Sequence, residues 1–130
     1  DNHPPLDVLL VSGGVHTWAM NNTVLLDSLR RAARSAQWIT SVCTGAFILA
    51  QAGLLTHQNV TTHWEDIDEL GTRFPDLSIK ENVRWVEDGN RITSAGISAG
   101  IDMSLHLVEK LHSRDLALNT AKQMDYFWES

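Results

Sequence analysis

Cysteine is all but absent from this sequence: Cys43 is the only one in 130 residues. A single thiol closes no internal disulfide, which excludes a small secreted scaffold held together by bridges. Basic residues are also scarce, with 10 Lys and Arg against 16 Asp and Glu, for a formal net charge of −6. A domain that neutralises nucleic-acid phosphates needs the opposite balance, so only a local basic patch would serve that purpose. No uninterrupted apolar run approaches the ~20 residues of a bilayer-spanning helix. His3, His16, His57, His106 and His112 show no metal-ligand spacing such as H-x-x-x-H, so neither a metal nor a cofactor is expected. The composition that remains, 43% hydrophobic and 20% charged, suits one compact domain over residues 1–130. The chain opens on Asp1 rather than Met, with no charged-then-apolar stretch following, and reads as a fragment.

The first element is the apolar run Asp7-Val8-Leu9-Leu10-Val11, ended by Ser12-Gly13-Gly14. Apolarity that is continuous rather than alternating predicts a strand buried on both faces, as in a parallel sheet. Residues 23–36 predict a helix, with Leu25, Leu26, Leu29 and Ala33 on one face and Arg30, Arg31 and Arg34 mainly on the other. That arginine cluster suits a solvated face better than an anion site. A second strand over 38–42 runs straight into Cys43, and residues 45–55 predict a helix apolar on most sides, hence deeply buried. A short strand over 59–62 and a helical turn or two over 64–70 follow. Arg84-Trp85-Val86 and Arg91-Ile92-Thr93 flank Glu87-Asp88-Gly89-Asn90, where Asp-Gly predicts a hairpin. A loop of small residues, 94–100, precedes a long helix with Ser98 as N-cap and Ile101, Leu105, Val108 and Leu111 as core stripe. A last helix is expected over 115–126. Strands separated by helices define an α/β sandwich.

The stretch that carries chemistry is Ser41-Val42-Cys43-Thr44-Gly45-Ala46. A polar residue at the abrupt end of a buried strand, followed at once by a helix, has the layout of a nucleophile elbow. So tight a turn needs small residues two before and two after the nucleophile, and these are Ser41 and Gly45. A helix N-terminus favours thiolate over thiol, and its free amides, that of Thr44 included, suit an oxyanion. The opposing reading of Cys43 is a buried small hydrophobe.

These residues resemble the ThiJ/PfpI family of the class I glutamine amidotransferase-like superfamily. The resemblance rests on Ser-Val-Cys-Thr-Gly-Ala, Leu-Ala-Gln-Ala-Gly-Leu-Leu, Thr61-Thr62-His63-Trp64, Arg73-Phe74-Pro75-Asp76, residues 82–89 and residues 93–102, in that order. It extends from Val8 to Tyr126. The most similar patterns are those of isonitrile hydratase-like proteins and of the sensing domains of AraC-type regulators. The fold implied is a flavodoxin-like three-layer sandwich with a mostly parallel sheet. By the same resemblance Cys43 is the reactive elbow residue, and Gly13 and Gly14 are the loop whose amide completes an oxyanion site. His63 matches a histidine near the pocket, and Trp64 beside it and Trp18 after the loop are candidates to line that pocket or a subunit contact.

Thr44 stands where peptidase-like members carry His, which counts against a Cys-His couple and against proteolysis. His63 has a second reading as a local backbone cap, and Asp102 one as a first-turn helix residue rather than a ligand contact. Family members hold an acid on a first strand beside the cysteine. The run 8–11 matches a later strand, so the first strands and that acid would precede residue 1, about 50–60 residues at ~30 per βαβ unit.

Three functions follow from the resemblance. The first is a cysteine-dependent hydratase or hydrolase for a small electrophile, an isonitrile or reactive carbonyl. The second is the ligand-sensing half of an AraC-type regulator, with nucleic acid as partner only through a domain outside this chain. The third is a redox-stress protein sensing through Cys43. The run 121–128 resembles the end of stand-alone members and lacks the Pro-, Gly- or Ser-rich character of a linker, which favours the first. A cytoplasmic homodimer with no membrane partner is the expected form.

Overall fold

The computed structural model describes residues 7–14 and 16–128. Two strands and the helices between them build the first half. β1 (Val8–Val11) leads through α1 (His16–Met20) and α2 (Thr23–Ser35) to β2 (Trp38–Val42), which lies parallel to β1 with Val8 opposite Trp38 and Val11 opposite Ser41. α2 starts where Asn22 accepts the Leu25 amide at 3.1 Å, an ordinary side-chain cap. α3 (Gly45–Gln51) follows β2 after two residues, and all six residues from Gly45 through Ala50 are buried. A helix apolar on every side has no wet face, and this one sits under the sheet as its sequence predicts.

The second half returns to the same sheet. β3 (Asn59–Val60) and β4 (Ser78–Ile79) form a separate two-stranded parallel sheet around α4 (Ile67–Arg73). β5 (Trp85–Asp88) and β6 (Arg91–Ser94) are an antiparallel hairpin joined by Gly89 and Asn90, with Gly89 at φ 61. That φ belongs to the left-handed region a two-residue hairpin turn demands. β6 adds to β2 in parallel, giving the order β1-β2-β6-β5. α5 (Ile97–Leu111) and α6 (Arg114–Gln123) complete the chain, with Ser113 capping α6 through the Leu116 amide.

Two cores lie on opposite faces of this sheet. Val11 and Ile39 face Leu26 of α2, Phe47 and Leu49 of α3 and Leu70 of α4. Val8, Trp38, Val42 and Ile92 face Met103 and Leu107 of α5. Alternate residues of β1 and β2 thus point to opposite layers, as the period of two requires. The result is a flavodoxin-like α/β sandwich with a mostly parallel sheet.

Several expectations need correction. β1 is not buried on both faces: Leu10 is 45% exposed, and among the described residues β1 is the edge strand of the sheet. The stripe of α5 is rotated from the expected one. Of the expected residues Leu105 is buried, Ile101 and Val108 are half-buried and Leu111 is exposed, while Ala99, Gly100, Asp102, Met103 and Leu107 are the other buried positions. Gly100 sets that phase, because a Cβ there would meet Val42 Cγ1 at 2.8 Å, so the helix lies on β2 at its glycine. The N-cap of α5 is Gly96, not Ser98, whose hydroxyl instead accepts from Arg84 at 3.3 Å. The third helix ends at Gln51 rather than 55, and Gly53 at φ 78 turns the chain away. α1 and β4 were not expected. His3 and the side chain of His16 lie outside the described residues. Among the described residues, no helix is long and apolar enough to cross a membrane.

Candidate active site

Cys43 occupies the two-residue step between β2 and α3 at φ 56, in the left-handed region that non-glycine residues rarely adopt. Holding a side chain there costs on the order of 1–3 kcal/mol, and it persists only where the surroundings over-determine it. Here they do so from both sides. The Cys43 amide donates to the Ser94 carbonyl at 3.1 Å, and the Thr62 hydroxyl donates to the Cys43 carbonyl at 2.7 Å. β6 and the segment after β3 therefore grip the peptide groups on either side of the thiol. Cys43 itself is half-buried.

The small flanks have separate reasons. Ser41 is fully buried in β2. Gly45 opens α3 directly beneath the end of β1, and any Cβ there would fall deep inside the Val11 carbonyl oxygen. The Gly13–Gly14 loop approaches the elbow as closely. A Cβ on Gly13 would meet Thr44 Oγ1 at 2.5 Å, Thr44 N at 2.7 Å and Cys43 Cβ at 3.2 Å. Gly14 has φ 131, open only to glycine, and its amide donates to Thr44 Oγ1 at 3.1 Å.

Gly13, Gly14, Cys43 and Thr44 are therefore one cluster. His63 and Trp64 attach to it through Thr62. The hydrogen bond of His63 is local: Nδ1 accepts the Glu65 amide at 3.2 Å as the N-cap of a 3-10 turn, Trp64–Asp66. Its ring stacks on Trp64 at 5.7 Å, and Trp64 is 75% exposed. Thr62 and Trp64 also line a cavity of about 280 Å³ with Thr61, Arg84, Gly96 and Ser98, a lining that includes none of Cys43, Thr44, Gly13 and Gly14. Trp18 is exposed on α1. No group of three or more His, Cys, Asp or Glu able to hold a metal occurs among the described residues.

Asp102 is fully buried and its carboxyl is paired on both oxygens. Arg84 Nε and a terminal guanidinium nitrogen converge on Oδ2 at 2.7 and 2.6 Å, while Tyr126 donates its hydroxyl to Oδ1 at 2.9 Å. Partial burial, then the hydrogen bond and the charge of Asp102, push the Tyr126 phenol above its usual range. The Trp128 indole adds a bond to the Asp102 carbonyl at 3.3 Å. This network ties the chain end to the first turns of α5, which pack on β2 one residue before Cys43. Sequence reasoning missed Thr62, Arg84 and Tyr126. Thr62 stands in a quoted motif, but nothing in its spacing assigns its hydroxyl to the Cys43 carbonyl.

A parallel sheet ending in a strained cysteine at a strand-to-helix step, faced by a glycine pair, defines the flavodoxin-like α/β domains built on an elbow. Comparison with known proteins narrows the class. The DJ-1/PfpI family pattern matches residues 2–110, and the chain belongs to that family. It is 41% identical over 124 residues to an isonitrile hydratase of Pseudomonas putida, covering 95% of this chain and 53% of that protein. It is 33% identical over 126 residues to the HTH-type transcriptional regulator GbdR of Pseudomonas aeruginosa, covering 97% of this chain and 34% of the regulator. A crystal structure of a ThiJ/PfpI family protein from Pseudomonas syringae superposes with a TM-score of 0.86 at 33% identity, over 98% of this chain and 52% of that one. The chain thus spans about half the length of the hydratase and a third of the regulator.

Proposed function

We propose that this chain carries the nucleophile of a cysteine-dependent hydratase or hydrolase acting on a small electrophile, an isonitrile or a reactive carbonyl. The observation that carries the reading is the strained φ of Cys43, held by two hydrogen bonds to its own peptide groups. Backbone strain of this kind clusters at active sites and ligand clamps, which supports reading Cys43 as a reactive side chain. In the reaction, the Cys43 thiol adds across the electrophilic carbon, its sulfur bonding that carbon and its proton passing to the substrate, while the amides of Thr44 and Gly14 face the negative charge that develops. Water then adds to the same carbon, the C–S bond breaks, and the proton returns to the departing thiolate, so that the net change is addition of one water. Thr62 holds the elbow carbonyl and lines the cavity it shares with Arg84 and Ser98. The likeness to an isonitrile hydratase supports the choice of substrate class.

The same reading includes further strands and an acid on the open side of β1, with which the site is complete. Support comes from Leu10, an exposed apolar residue on an edge strand without charge. It lines an apolar groove of about 410 Å³ with Val42, Gly100, Leu105, Val108 and Met124. Unpaired edges of this character are otherwise covered or blunted. Homodimer formation belongs to this proposal as well.

The deciding experiment is turnover of cyclohexyl isocyanide by the full-length protein and by its Cys43→Ala variant. Loss of hydration in the variant supports the reading; equal turnover in both sinks it. The likeness to HTH-type regulators supports a second reading, a ligand-sensing domain. In that case the full-length protein binds a small molecule without consuming it, and Cys43→Ala leaves the affinity unchanged.

A further inference from the structure

A threonine at a helix N-cap ordinarily turns its hydroxyl onto an amide of the first turn. Elsewhere this chain follows that habit, with Asn22 on α2 and Ser113 on α6. Thr44 does not. It is the N-cap of α3 and makes no side-chain cap bond. Its Oγ1 accepts the amide of Gly14, 30 residues earlier, at 3.1 Å, and lies 3.5 Å from the carbonyl oxygen of that glycine. The hydroxyl is buried, and the Gly13 backbone is pressed against it.

We infer that the Thr44 hydroxyl is a latch that holds the Gly13–Gly14 loop in place, so that the Gly14 amide is already beside the elbow when charge develops on a ligand. Two consecutive glycines have more backbone freedom than any other pair, and a Cβ built on Gly14 would meet nothing within 4 Å. One hydrogen bond to a fixed point removes that freedom in advance. The fixed point is suitable because Thr44 is adjacent to Cys43 in the chain. A Cβ on Gly13 would lie within 3.2 Å of both Thr44 Oγ1 and Cys43 Cβ, so loop, hydroxyl and thiol-bearing carbon converge on one spot. A neutral hydroxyl is also a weaker acceptor than an anion, roughly half as strong, so an oxyanion can share or take the Gly14 N–H from it. Thr44 is thereby a positioning residue that acts through Gly14. The kinetic consequence rests on the enzyme reading above; the latch itself does not.

The test uses Thr44→Val, which keeps the shape and deletes the hydroxyl, with Thr44→Ser as the conservative rescue. Solvent exchange of the Gly14 amide is measured by NMR in the full-length protein, with the Phe47 amide as internal control. That amide bonds the Thr44 backbone carbonyl at 3.0 Å and needs no side chain. The latch predicts that Gly14 exchange accelerates at least 10-fold in the valine variant and returns to within 2-fold in the serine variant, with Phe47 unchanged. Gly14 exchange that is equal in wild type and valine variant overturns it, as does acceleration that serine fails to rescue. With cyclohexyl isocyanide as substrate, kcat falls at least 10-fold in Thr44→Val while KM changes less than 3-fold, and serine restores kcat. A wild-type protein with no turnover refutes the enzyme reading alone, and the exchange result still decides the latch.

Discussion

Replacing Asp102 with Asn removes the charge at the centre of the network behind α5 and keeps the side-chain shape. Asp102 is fully buried, and both its oxygens are engaged, one by two Arg84 nitrogens and one by the Tyr126 hydroxyl. Removing one partner of a fully buried ion pair costs about 3–5 kcal/mol. The Arg84 side chain is 43% exposed, so water recovers part of its solvation, and the expected loss is about 2–3 kcal/mol. For a domain of this size that lowers Tm by about 8–12 °C. Tyr126→Phe alone removes a hydroxyl shared between Asp102 Oδ1 at 2.9 Å and the Ser98 carbonyl at 3.1 Å, about 1 kcal/mol. Because both substitutions act on the same carboxylate, their double mutant is non-additive by about 1 kcal/mol.

The chain has a single tyrosine, so absorbance titration near 295 nm reads its phenol without ambiguity. The raised Tyr126 pKa means that its contribution to stability is present below pH 10 and is lost as pH rises through the folded value. Asp102→Asn deletes both the charge and the anionic hydrogen bond behind much of that shift, so the folded-state titration moves back towards 10. An Asn variant that loses less than 0.5 kcal/mol, or whose tyrosine titrates as in wild type, refutes the account of this network.

Other consequences are simpler. Gly45→Ala forces a methyl into the Val11 carbonyl, so the variant loses about 3 kcal/mol or more, at the upper end of overpacking, or does not fold. A urea midpoint within 0.3 M of wild type would show that α3 slides freely against β1. Glu87 bonds His106 at 2.9 Å and Lys110 at 2.6 Å. Partial burial raises its carboxyl pKa, but the hydrogen bonds and charges of Lys110 and His106 outweigh that and hold it below the ordinary 4.5. Its contribution to stability is therefore complete above about pH 4.5 and is lost as pH falls through the lower folded value. Urea midpoints between pH 6 and pH 3 should fall less steeply in Glu87→Gln than in wild type. Parallel curves would remove Glu87 from the account.

The parts of this molecule that local sequence encodes were legible. The run from Trp38 through Gly45 reads as both a buried strand and a tight turn, since small residues, Ser41 and Gly45, stand two positions on either side of Cys43. Gly89 likewise announces its hairpin through a φ that other residues resist. The phase of α5 was legible only in part: Leu105 is buried as expected, but Ile101 and Val108, which extend its stripe as regularly as the true partners do, are only half-buried. Only the contact of Gly100 with Val42, on another element, selects between them. The same holds for Arg84 with Asp102 and for Thr62 with the Cys43 carbonyl. These are single contacts between residues 18 and 19 positions apart, with no periodicity to betray them. At Thr44 a sound local rule, the helix cap, yields to a distant partner.

The elbow is also written in two halves of the chain, and this gives it a place in the order of folding. β2 and α3 bring Cys43 to its corner, yet the bonds that fix its peptide groups come from Ser94 and Thr62. Ser94 further donates its hydroxyl to the Ser41 carbonyl, 53 residues away in sequence. Parallel pairing across such a span closes a long loop before any contact repays it, and it is slow for that reason. The unusual backbone at Cys43 is thus assembled with the arrival of the β5–β6 hairpin rather than with the strand that carries it. By that reasoning the thiol is expected to gain its final conformation late in folding, and its rate of labelling during refolding, compared with the rate of hairpin docking, tests that order.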